Sequence, residues 1–182
     1  MINWNQIEEI LYRITSENIK EIAQEHSDET FYCFALSINA DYGEIMISLN
    51  TNEFLEETAK DYFTRRPERY KSLEKAKEKL KLSIGDWKYT DENSEDFQDT
   101  WGKYQELISD EALDQDEELE ETDQSIEEQF LRTACRVIHR INNEEVIKLL
   151  NQTEDFEVYV CDHDETDEKS WQRLKETKLQ NK

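Results

Sequence analysis

At 182 residues with a formal net charge of −23, the chain is long enough to bury one substantial core and too acidic to read phosphate backbones, which demand a basic footprint. The same charge opposes docking onto anionic lipid, no apolar run approaches the roughly 20 residues of a membrane span, and the start MINWNQIEEI is unlike a signal peptide. Apolar residues at 36% and aromatics at 10% predict a folded domain under a heavily solvated surface, and three widely spaced cysteines, Cys33, Cys135 and Cys161, read as reduced thiols of a cytoplasmic protein.

Trp4, Ile7, Leu11, Ile14, Ile22 and Ala23 share a helical stripe, which predicts an amphipathic helix over 4–23 that stops near His26-Ser27-Asp28. Phe31 to Ile38 is apolar on both alternating faces, as in a central strand covered on each side. Asn39-Ala40-Asp41-Tyr42-Gly43 is a turn cluster, after which Ile45, Ile47 and Leu49 alternate with Glu44, Met46 and Ser48. Together these runs predict an antiparallel hairpin over 31–49. Asn50, with Glu53 three residues on, looks like a capped helix start. Phe54, Leu55, Thr58 and Tyr62 give that helix its buried face, and Pro67 stops it.

Leu73, Ala76, Lys77 and Leu80 predict a second, more exposed helix, and Leu82 to Trp87 then breaks helicity as a short edge strand. Phe97, Trp101, Tyr104 and Ile108 mark another amphipathic helix. Residues 110–123 are almost purely acidic and form a loop or an exposed helical segment. Ile126, Phe130, Ala134, Val137 and Ile141 define a strong helix, with Val146, Leu149 and Leu150 beyond a break at Asn142-Asn143. A strand over 156–161 alternates, and Trp171 with Leu174 opens a closing helix before a polar tail over 176–182. Strands that are grouped, not alternating with helices, predict a single α+β domain. Its small, mainly antiparallel sheet, the 31–49 hairpin plus the 156–161 strand, packs with several amphipathic helices.

The charge is concentrated. Asp86 to Glu128 holds eighteen acids against Lys88 and Lys103, a net of −16, whereas Lys60 to Lys81 holds nine basic and four acidic side chains, a net of +5. One reading is a solubilising surface, with the basic segment lying against the acidic one inside the fold. The other is an interface for a basic protein partner, formed by Asp110, Glu111, Asp114, Asp116, Glu117, Glu118, Glu120, Glu121 and Asp123. A focused negative field of this kind speeds encounter with a positive surface. Phe97, Trp101 and Tyr104 lie beside it, either as aromatic anchors or, by their helical spacing, as core.

No pattern names a reaction. His26, His139 and His163 lack metal spacing, Cys135 and His139 are four apart without a further ligand nearby, and there is no phosphate loop, nucleophile elbow or CxxC pair. Asp162-His163-Asp164-Glu165, with Asp167 and Glu168, follows a strand and offers oxygen ligands to Mg²⁺ or Ca²⁺. On that cluster rests the alternative of a metal-dependent enzyme using Asp162, His163 and Asp164. The cluster lacks the glycine and ordered spacing of an EF-hand loop, and Asp164 or Thr166 serves equally well as a helix cap. The expectation is a non-enzymatic binding module with no catalytic residue, metal or cofactor; a third reading is an acidic housekeeping interaction protein.

FYCFALSINADYGEIMISLNT, SIGDWKY and FEVYVCDHD followed by Trp171 resemble, in order and spacing, the bacterial domain-of-unknown-function family 4303. Asp86-Trp87-Lys88-Tyr89 is the most specific block, although Ile84-Gly85 replaces the serine-proline turn often found before the Asp-Trp pair. The resemblance covers nearly the whole chain and brings no catalytic residue with it. It implies a setting similar to that of immunity proteins of bacterial polymorphic toxin systems, small cytoplasmic antidotes whose toxins are often nucleases with basic surfaces. Asp86, Trp87 and Tyr89 are read as a structural motif: Trp87 buried near the sheet, Asp86 accepting backbone hydrogen bonds in the turn.

Overall fold

The computed structural model describes residues 2–113, 125–163 and 165–180. Helix α1 (Trp4–Glu25) starts at Asn3, whose side-chain oxygen accepts the Gln6 N–H at 3.2 Å, and it buries Ile7, Leu11, Ile14, Ile19 and Ile22. Strands β1 (Phe31–Asn39) and β2 (Glu44–Thr51) form the expected antiparallel hairpin, in register from Cys33 opposite Asn50 to Asn39 opposite Glu44, with an irregularity between Phe31 and Cys33. The turn between them closes on Gly43 at φ 63°, a left-handed conformation that favours glycine.

Strand β3 (Gln152–Asp162) extends beyond the expected limits and lies on the free side of β1, giving the order β2-β1-β3 with β1 central. It runs parallel to β1, with Cys33 opposite Glu157 and Ser37 opposite Cys161, so the small sheet is mixed. A parallel pair needs a crossover of at least a dozen residues, which the long helical excursion between β2 and β3 supplies. The α+β class and the central position of β1 hold.

Helix α2 (Asn52–Arg65) is capped by Thr51, whose Oγ1 accepts the Phe54 N–H at 3.2 Å; the expected cap, Asn50, is buried and used elsewhere. A single turn α3 (Pro67–Tyr70) and helix α4 (Leu73–Leu80) follow, the latter capped by Ser72. Four cations of this basic segment find their acids on α2 or at Glu157 of β3. Lys60 pairs with Glu56 at 2.7 Å, Arg65 with Asp61 at 2.8 Å, Lys77 with Glu56 at 3.1 Å and Lys81 with Glu157 at 3.2 Å.

Residues 84–86 form a 3₁₀ turn where an edge strand was expected, and the pairing with β2 shrinks to a single bridge between Leu49 and Tyr89. The Asn93 side chain continues that edge, accepting the Ile47 N–H at 3.0 Å and donating to the Ile45 carbonyl at 2.6 Å. Helix α5 (Glu95–Leu113) buries Phe97, Trp101 and Ile108, while Tyr104 is half-buried. Trp101 stacks on Phe130 at 5.8 Å, which assigns these aromatics to the core.

Helix α6 (Ile126–Asn143), capped by Ser125, buries an apolar face that includes Phe130, Val137, Ile138 and Ile141. A 3₁₀ turn over Val146–Leu149 follows the predicted break. Helix α7 (Asp167–Gln180) begins at Thr166, whose Oγ1 accepts the Lys169 N–H at 3.4 Å, and continues through most of the expected tail. A buried ion network locks α7 in place: Arg173, 4% exposed, binds Glu165 through two guanidinium nitrogens and Glu128 of α6 at 3.0 Å. Among the described residues no helix is long and apolar enough to cross a membrane.

Candidate functional site

The acids predicted to meet a partner divide between described and undescribed residues. Asp110 and Glu111 occupy the end of α5, Asp110 exposed and Glu111 half-buried; Asp114, Asp116, Glu117, Glu118, Glu120, Glu121 and Asp123 lie outside the described residues. Earlier on the same helix Glu95, Asp96, Asp99 and Glu106 are exposed. Between α1 and α5 runs a groove of about 250 Å³ faced by Glu17, Glu21, Asp96 and Asp99, with Ile14 and Phe97 at its floor. Among the described residues its one cation is Arg13, held by Glu17 at 3.0 Å. The groove is therefore strongly negative.

The Asp86-Trp87-Lys88-Tyr89 block is structural. Trp87, 4% exposed, meets Tyr32 and Tyr159 edge-on at 6.3 and 6.2 Å and donates its Nε1–H to the Lys81 carbonyl at 3.1 Å. The Asp86 side chain accepts hydroxyls, from Ser83 at 2.7 Å and from Tyr62, where backbone N–H groups were expected. That carboxylate raises the Tyr62 phenol above its ordinary value and ties α2 to the turn. Asn50 receives the Lys88 N–H at 3.2 Å and donates to the Tyr32 hydroxyl at 3.0 Å, which is why it is unavailable as a cap. Lys88 and Tyr89 both reach Glu29; although burial acts to raise the Glu29 carboxyl, their hydrogen bonds hold it below its usual range.

Residues flanking this block, Leu82, Ile84, Gly85 and Thr90, line a cleft. Alternation gives the sheet two unlike faces: Phe34, Leu36, Ile38, Ile45, Ile47 and Leu49 on one, Cys33, Ala35, Ser37, Met46 and Ser48 on the other. Over the second, smaller face opens a cleft of about 470 Å³. Its floor includes Ser37, Ser48 and Cys161, its walls Met46, Leu82, Ile84 and Tyr159, and its mouth Asp162, His163, Glu165 and Asp167. Ser48 is 1% exposed, and its Oγ has no hydrogen-bond partner, an arrangement that costs about 1–3 kcal/mol when nothing satisfies it.

The thiol in the cleft is not activated. Burial pushes the Cys161 thiol up to about 12, so it is no thiolate nucleophile at neutral pH. Cys33 and Cys135 are likewise buried free thiols, the latter also pushed up to about 12 by burial. Of the residues proposed for a metal enzyme, Asp162 and His163 do reach one place, the cleft mouth, but the Asp162 carboxylate accepts the Ala40 N–H at 3.2 Å and Asp164 lies outside the described residues. Glu165 is engaged by Arg173. Among the described residues no three His, Cys, Asp or Glu side chains gather as metal ligands. Ser37, Ser48 and Tyr159 were missed from sequence. The available signal was small hydroxyl residues on one alternation of strands whose other face is large and apolar.

The family model described as Domain of unknown function (DUF4303) matches residues 11–177, and the chain belongs to that family. The match spans the hairpin, the Asp86–Tyr89 block, β3 and the ion network of α7. No curated protein and no solved structure matches the chain.

Proposed function

We propose that this protein is a non-enzymatic binding module that acts in the cytoplasm on a basic protein, and that the partner is a toxin domain which it neutralises. The observation that carries the reading is uncompensated charge. Lys60, Arg65, Lys75, Lys77 and Lys81 of the basic segment are paired locally or with Glu157, while α5 presents Glu95, Asp96, Asp99, Glu106 and Asp110 to solvent in a chain of net charge −23. A field so focused favours a positive partner and repels nucleic acid. Because Phe97 and Trp101 face inward, recognition on this helix begins with carboxylates, not exposed aromatic anchors. The basic partner follows from the charge; the toxin follows from the setting that the family resemblance implies. An acidic antidote covers a nuclease's basic surface either as a nucleic-acid mimic or as a steric block.

Affinity purification from the native cell tests this, with the wild type beside a variant carrying Asp96, Asp99, Glu106 and Asp110 changed to Lys. The four reversals move the net charge by eight units, from −23 to −15. A basic protein retained by the wild type, lost by the variant and toxic when expressed alone supports the proposal. Partners that are neutral or acidic and indifferent to the reversal overturn it.

A further inference from the structure

A role for surface charge makes no use of the cleft over the small-residue face of the sheet. We propose that this cleft is a binding site for a small organic cation, a primary amine with a compact apolar body and a hydrogen-bonding group at its far end. Its volume of about 470 Å³ falls within the range of small-molecule sites, roughly 300–1,000 Å³. The floor holds the decisive group: the Ser48 hydroxyl, 1% exposed and unpartnered, calls for a ligand atom that can donate to it or accept from it. Above it Met46, Leu82, Ile84 and the Tyr159 ring offer apolar surface. Tyr159, fully buried, is held by Trp171, stacked at 5.3 Å, so it is a fixed wall of the cleft.

The mouth sets the sign of the ligand. Among the described residues no Lys or Arg lines the cleft, whereas Asp162, Glu165 and Asp167 do. Arg173 and Lys169 offset Glu165, and Asp162 is anchored to the Ala40 N–H, leaving the exposed Asp167 as the carboxylate best placed to meet an ammonium group. Phosphates and carboxylates would enter against three acids with no cation to receive them, so anionic metabolites are excluded. The predicted orientation is polar end down on Ser48 and ammonium at the rim.

Three probes with one body separate these contributions: tyramine (an ammonium), its alcohol analogue tyrosol, and the acid 4-hydroxyphenylacetate. Each is titrated into the full-length protein and followed by amide chemical shifts in NMR. Tyramine should perturb Ser37, Ser48 and Cys161 and bind about tenfold more tightly than tyrosol, a preference that shrinks as salt is raised, with the acid weakest of all. Asp167→Asn should cost most of that preference. Ser48→Leu fills the floor and should abolish binding. Gly85→Leu is the companion variant: Gly85 lines the cleft and a Cβ there meets nothing within 4 Å, so a leucine at this position burdens no neighbour and should also block tyramine. The proposal is overturned if tyramine fails to bind up to about 10 mM, if the acid binds as well as the amine, or if a folded Gly85→Leu protein binds tyramine like the wild type. Reversal of the α5 acids should leave tyramine binding intact, so failure of the partner reading and failure of this one are told apart.

Discussion

Replacing Gly43 by alanine adds one methyl group at the point where the hairpin tip meets α5. That Cβ would stand 2.7 Å from the Gln105 carbonyl oxygen and 3.1 Å from both Gln105 Cα and Ile108 Cβ. The close neighbours belong mostly to helix backbone, so no side chain can swing aside. The left-handed φ of 63° adds a conformational cost of about 1–2 kcal/mol for any residue with a Cβ, and overpacking of this kind costs about 1–3 kcal/mol. Relief by sliding α5 would stretch the bond from Trp101 Nε1 to the Gly43 carbonyl, now 2.9 Å, and disturb the Trp101–Phe130 stack. A total near 2–5 kcal/mol follows, which for a chain of this size lowers the thermal midpoint by roughly 4–20 °C. Gly102 is the control on the same helix. A Cβ there meets nothing within 4 Å, so Gly102→Ala should stabilise by up to about 1 kcal/mol through helix propensity alone. Urea unfolding of the two variants beside the wild type measures both shifts, provided the m-values agree. If Gly43→Ala is as stable as the wild type, α5 is not seated on the hairpin tip as described, and the placement of the acidic face falls with it.

Trp87→Ala removes a buried ring wedged between two tyrosines and should cost about 3–5 kcal/mol in the same assay; an unchanged midpoint would move Trp87 from the core to the surface. Arg173→Met leaves Glu165 and Glu128 without their shared cation and should cost about 3–5 kcal/mol near neutral pH. Burial acts to raise the Glu165 carboxyl, but the Arg173 hydrogen bonds and charge hold it below its ordinary 4.5. A lowered folded-state value means that the unfolded chain takes up protons first, so this stability is present above about pH 4.5 and is lost as pH falls through the lowered value. Wild-type stability should therefore drop steeply in that acid range while Arg173→Met changes less; parallel curves would refute the coupling. Lastly, reversing the four α5 acids should slow association with the basic partner about tenfold at low salt, the gap closing as the screening length shortens to about 8 Å. Stopped-flow rates that do not respond to the reversal would reduce the acidic helix to a solubilising surface.

What could be read from the residues alone is what depends on near neighbours in the chain. The stripe of Ile7, Leu11 and Ile14 and the stripe of Phe130, Ala134 and Val137 each demand a helix, because periodicity is a local property. The two-sided apolar run from Phe31 to Ile38 likewise announced a strand covered on both faces, and Trp87 amid charges announced burial. The direction of β3 was beyond reach, because alternation says that a strand has two faces and not which way its neighbour runs. Asn50 looked like a cap until Tyr32 and Lys88, distant in sequence, claimed its amide. Counting located the acids and the bases, but only geometry showed that Lys60, Arg65, Lys77 and Lys81 are already partnered and that the carboxylates of α5 are not offset by them. The cleft is the extreme case. Ser37, Ser48 and Cys161 come from three strands and Asp167 from a helix, and each is unremarkable in its own segment. Tertiary packing alone brings small residues opposite one another, leaving the Ser48 hydroxyl buried without a partner beneath an acidic rim.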